Sequence, residues 1–170
     1  MKNMNIRRTV VASVFAAVVF VITFIIKIPT PTGGYVNLGD AAVLLAGLML
    51  SPAYAFVAAG VGSALADLIL GYAIYIPATF VIKGGVALII CLGVTLLSKR
   101  IGKYPCLLIF GALAEIFMAG AYLLFEGFIY GFAPSLLNVP ANLAQGAVGL
   151  VLCVVIFTVL DKSKIKFPKF

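Results

Sequence analysis

Residues 9–26 carry no charged side chain, and apolar stretches of similar length return along most of the chain. Crossing about 30 Å of hydrocarbon takes about 20 helical residues, and these stretches supply that length. Of the 170 residues, 64% are hydrophobic and 10% charged, and mean hydropathy is +1.24. A soluble domain is roughly half apolar, so most of this surface must meet the lipid bilayer. Backbone groups in lipid need internal partners, which leaves helices and closed barrels. The alternation of period two over about ten residues that marks a barrel strand is absent. The expected fold is therefore an all-α integral membrane protein, a single membrane domain over residues 1–170.

Turn signals divide the apolar sequence into six expected transmembrane helices at about 9–26, 38–50, 53–71, 77–97, 105–125 and 135–160. The first follows a short basic leader and ends at Lys27 and Pro29 without a small-residue cleavage pattern, so it reads as a retained span. The second is short. Ser51-Pro52 divides it from the third, because proline disfavours helix in the residue before it. Cations cluster at Lys2, Arg7 and Arg8, at Lys99, Arg100 and Lys103, and at Lys162, Lys164, Lys166 and Lys169. Six spans put all three clusters on one side, which the positive-inside rule makes the cytoplasm, with both termini there. The net charge of +7 is thus a topology signal, or a contact with anionic lipid, and not a nucleic-acid footprint.

No catalytic or metal constellation stands out. Histidine is absent, and Cys91, Cys106 and Cys153 lack metal-knuckle or redox spacing. The chain reads as a protein that is not an enzyme and needs no cofactor.

A charge inside the bilayer costs about 2.5–3.5 kcal/mol on insertion scales, so each one needs a partner or a purpose. Asp67 and Lys83 lie about 6 and 9 Å below the outer ends of neighbouring spans at 1.5 Å per residue, and are expected to form a structural ion pair. On span five, Glu115, Ala119, Tyr122 and Glu126 share one helical face; on span six, Asn138, Asn142 and Gln145 do the same. Matched by depth, the two stripes describe a crevice open to the outside. Amides and a phenol among apolar walls suit a small polar ring compound. Asn37 or Asp40 is expected to cap span two, and the long connection over residues 27–38 to act as a lid. The Gly60-Val61-Gly62 run reads as close helix packing, not as a phosphate cradle.

The segments GGYVNLGDAAVLLAGLMLSP, GVGSALADLILGY and IYIPATFVIKGG resemble the substrate-binding S components of energy-coupling factor (ECF) transporters, in the branch that includes hydroxymethylpyrimidine, pyridoxine and pantothenate binders. The resemblance implies six helices and a vitamin bound from outside by the first loop and the last three helices. The site residues would be Asn37, Asp40, Lys83, Glu115, Tyr122, Asn138, Asn142 and Gln145. It further implies a membrane coupling subunit and two cytoplasmic ATPases as partners in a bacterial cell membrane. Ala12 and Ala16 would supply the small-residue docking face on helix one. Pyridoxine or hydroxymethylpyrimidine leads the ligand order, before pantothenate and riboflavin. Two other readings stand beside it: a self-sufficient proton-coupled carrier using Asp67, Glu115 or Glu126, and a structural membrane subunit without a ligand.

Overall fold

The computed structural model describes residues 2–30 and 34–163, with side chains from residue 6 onward. Gly33, Lys164, Lys166, Lys169 and the side chain of Lys2 lie outside the described residues. In chain order the elements are helix α1 (Lys2–Ile25), strands β1 (Lys27–Pro29) and β2 (Tyr35–Asn37), and helices α2 (Gly39–Met49) and α3 (Pro52–Leu70). A 3-10 turn (Ala73–Tyr75) leads into α4 (Ile76–Ile101), followed by α5 (Lys103–Tyr130), α6 (Phe132–Leu136) and α7 (Val139–Lys162). Proline stands in the first turn of α3, α4 and α7, where its missing N–H costs no hydrogen bond. Gly71, at φ +84°, closes α3 in a left-handed cap.

Two expectations are corrected. Among the described residues, five helices are long and apolar enough to cross a membrane, not six. The 11 residues of α2 reach only about 16 Å, roughly half the hydrocarbon thickness. This helix packs against α1, α3, α4 and α7, and residues 41–47 are buried throughout. Its apolar character all round reflects enclosure by other helices rather than by lipid. The all-α expectation holds for the bundle, to which β1 and β2 add one short antiparallel hairpin, Lys27 opposite Asn37 and Ile28 opposite Val36. Finally, the last long helix begins at Val139 rather than near residue 135. Gly131, at φ +91°, ends α5, and the separate short α6 follows it.

The glycines of the Gly60-Val61-Gly62 run serve helix packing. A Cβ on Gly60 would lie 2.6 Å from the carbonyl oxygen of Phe80 on α4, and one on Gly62 would strike the carbonyl of Ala16 on α1. Ala16 and Ala12 are half-buried and pack on the central apolar cluster, whereas Ser13 and Ala17 beside them are exposed. Gly62→Val is expected to lower stability by about 1–3 kcal/mol through overpacking against α1. Thermal unfolding in detergent measures this, with an exposed Leu68→Val change as the reference.

Candidate ligand-binding site

Near the hairpin end of the bundle, a narrow, partly open cavity collects the polar side chains of several elements. Thr23 comes from α1, Tyr35 and Asn37 from β2, and Ser63 and Asp67 from α3. Thr79 and Lys83 come from α4, Tyr122 and Glu126 from α5, and Asn142 and Gln145 from α7. Gly34 lets the hairpin settle onto this space: a Cβ there would lie 3.2 Å from the Tyr75 hydroxyl and 3.4 Å from Oε1 of Glu126.

The charges pair differently from the depth argument. Lys83 binds Asp40, not Asp67, and both side chains are buried. Matching depth constrained height but not direction around the helix axis. α2 lies against α4, and its first turn presents Asp40 to the inward face of α4 that carries Lys83. Asp40 therefore does not cap its helix. Asn37 does that work, its Oδ1 accepting from the Gly39 N–H at 2.8 Å. The Lys83 ammonium also lies 5.7 Å from the ring centre of Tyr122, a favourable cation–π distance.

Asp67 is held from the hairpin, where the Tyr35 hydroxyl donates to its Oδ1 at 2.6 Å. Burial, and then the neighbouring carboxylate, push the Tyr35 phenol above its ordinary value, so it stays protonated as the donor. Gln145 joins three elements. Its Oε1 accepts from the Asn37 N–H at 2.7 Å, and its Nε2 donates to Oδ2 of Asp40. Glu126 accepts from the Tyr75 hydroxyl at 3.2 Å and from Nδ2 of Asn138 at 2.8 Å. Thr79 and Tyr122 share a hydrogen bond of 3.0 Å.

Of the expected site residues, Asn37, Lys83, Tyr122, Asn142 and Gln145 line one cavity. Asp40, Glu115 and Asn138 stand behind its wall. Asp40 and Asn138 orient Lys83, Gln145 and Glu126. Glu115 is 4% exposed, faces Gly146 across the α5–α7 interface, and has no hydrogen-bond partner on either carboxylate oxygen among the described residues. The crevice drawn between the last two long helices is thus enlarged, because α1, α3, α4 and the hairpin complete it. Sequence reasoning missed Thr23, Ser63, Thr79, Tyr35 and Tyr75 on the wall. A lone hydroxyl in an apolar helix gives little signal, since it can satisfy itself on its own backbone. Glu126 and Asp67 were visible as costly charges.

Comparisons with known proteins agree with this architecture. A family model described as "ECF-type riboflavin transporter, S component" matches residues 3–162. A Lactococcus lactis protein named thiamine precursor transporter HmpT is 26% identical over 167 residues, covering 97% of this chain and 94% of that protein. An uncharacterized protein of Pyrococcus woesei is 33% identical over 135 residues, covering 79% of this chain and 88% of that one. Among solved structures, the S component of a bacterial ECF transporter superposes with a TM-score of 0.72 at 19% identity, covering 95% of this chain and 99% of that one. A biotin S component of an ECF-type ABC transporter gives 0.72 at 15% identity, covering 98% and 96%. With a family match spanning nearly the whole chain, a shared fold and a polar cavity enclosed by apolar helices, this protein belongs to the S components of ECF-type transporters, membrane substrate-binding subunits and not enzymes.

Proposed function

We propose that this S component captures a small water-soluble vitamin or vitamin precursor from outside a bacterial plasma membrane, with pyridoxine or hydroxymethylpyrimidine ahead of pantothenate and riboflavin. The observation that carries the reading is the cavity itself, where Asp67, Lys83, Glu126, Asn142 and Gln145 meet inside an apolar bundle. Polar groups that costly in a membrane point by default to a functional site. The relative named as a thiamine precursor transporter, which matches along almost the whole chain, supports a vitamin precursor as the ligand, while the family description names riboflavin.

In this reading, residues 1–170 act as one membrane domain. The hairpin covers the ligand, α2 and the hairpin together complete one crossing, and both chain ends face the cytoplasm where the basic clusters lie. The partners are a membrane coupling subunit and two ATPases. Docking uses α1, where Ala12 and Ala16 are half-buried and Ser13 and Ala17 complete a small-residue surface.

Mass spectrometry of ligand released from freshly purified protein, joined to uptake in vesicles, tests the reading. Accumulation is expected only when the coupling subunit and ATPases are present with ATP. Uptake by the isolated protein under a pH gradient would favour the proton-coupled carrier, and a protein that retains no small molecule would end the capture reading.

A further inference from the structure

This inference rests on the capture reading and concerns what its ligand must carry. The cavity wall divides into polar groups already engaged and groups left open. Lys83 is neutralised by Asp40, and the Gln145 amide is used on both sides. Both oxygens of Glu126 accept hydrogen bonds from neutral groups. Among the described residues, Oδ2 of Asp67 and the hydroxyls of Ser63, Thr23 and Thr30 have no hydrogen-bond partner. Asp67 is 2% exposed and Ser63 1%, and both lie on the cavity wall. Thr79 stands beside Asp67 and shares a hydrogen bond with Tyr122, but it makes no hydrogen bond of good geometry with Oδ2.

Buried acceptors without partners are rare in folded proteins, and a carboxylate oxygen is the costliest of them. Among the described residues, no cation lies within ion-pair distance of Asp67 or Glu126. The site therefore holds two acids without a cationic partner, one of them with an oxygen that accepts no hydrogen bond among the described residues. Ser63 and Asp67 are four residues apart on α3, one turn along the same face, so a hydroxyl accompanies that oxygen on the same wall.

We propose that Asp67 is the specificity-determining residue of the site. It receives the ring N–H of a basic nitrogen heterocycle, of the pyridinium or aminopyrimidine class, and it excludes compounds recognised through a carboxylate. The same pair forms whichever partner supplies the proton. A charged ring meeting the carboxylate and a neutral ring meeting the carboxylic acid both end with one proton shared between nitrogen and Oδ2. A ligand carboxylate has no such route, since it would add a negative charge beside Asp67 and Glu126.

Equilibrium dialysis of the purified full chain against five probes tests this: 4-amino-5-hydroxymethyl-2-methylpyrimidine, pyridoxine, pantothenate, biotin and riboflavin. One of the first two is expected to bind most tightly. Asp67→Asn, which keeps an acceptor for Tyr35, is expected to weaken binding about 10- to 100-fold, the loss of a charge-assisted hydrogen bond. A measurement on unaltered protein guards against a variant that fails to fold: the benzene analogue of the bound ring, lacking its nitrogens, must bind at least about tenfold more weakly. Tighter binding of pantothenate, biotin or riboflavin than of either nitrogen ring overturns the assignment and leaves vitamin capture standing. So does a folded Asp67→Asn protein with unchanged affinity, or an analogue that binds equally well. Failure of all five probes to bind overturns the capture reading itself, and this inference with it.

Discussion

Lys83→Met will cost about 3–5 kcal/mol of stability, the loss expected when one member of a buried ion pair is removed. The methionine fills nearly the same volume, so the cost comes from charge. Asp40, 0% exposed, would keep only the Gln145 amide as a donor. The double replacement Lys83→Met with Asp40→Leu should recover part of that loss, because both charges leave together. Recovery will stop short by about 1–3 kcal/mol, since Nε2 of Gln145 then keeps only the weak Met118 thioether as an acceptor. Unfolding in mixed micelles across the two single variants and the double one measures both values. The Asp67–Lys83 pairing expected from depth predicts something else: Asp67→Leu would then rescue Lys83→Met, and Asp40→Leu would not. Rescue by Asp67→Leu would overturn the assignment of Asp40 as the partner.

Gln145→Leu will lower stability by about 2–5 kcal/mol, because it removes the partner of two buried groups at once. The Asn37 N–H loses its acceptor, and Oδ2 of Asp40 loses its donor. The first loss frees β2 from α7, so amide exchange at residues 35–37 should accelerate more than exchange at residues 41–47 of α2. Asn142→Leu is the informative comparison. Asn142 lies on the same wall three residues earlier on α7, and its amide makes no hydrogen bond among the described residues. That variant should retain stability and lose ligand affinity. Equal destabilisation by both would show that the Gln145 bridge has no special role in anchoring the hairpin.

These two residues show how far sequence reading reaches. Lys83 and Gln145 are recognisable without coordinates because a charge or an amide within an apolar run is costly in lipid. Their spacing also put Asn138, Asn142 and Gln145 on one helical face. Their partners were not recognisable. Lys83 reaches Asp40 across 43 residues of sequence, and Gln145 reaches Asn37 across 108. Both contacts depend on α2 lying inside the bundle rather than beside lipid. An apolar 11-residue helix looks the same in either place, because protein and lipid both accept its side chains.

Residue order alone specifies a membrane protein built of apolar helices, with a few costly polar residues that have to be accommodated. That follows from solvation alone: hydrocarbon accepts such helices and penalises the charges along them. Packing of the elements settles that Asp40 takes Lys83, that Tyr35 takes Asp67, and that one oxygen of Asp67 accepts no hydrogen bond among the described residues. Hydropathy and helical period specify depth and face along each helix, whereas partner choice depends on rotation and neighbour order, which arise only when all the helices and the hairpin pack together.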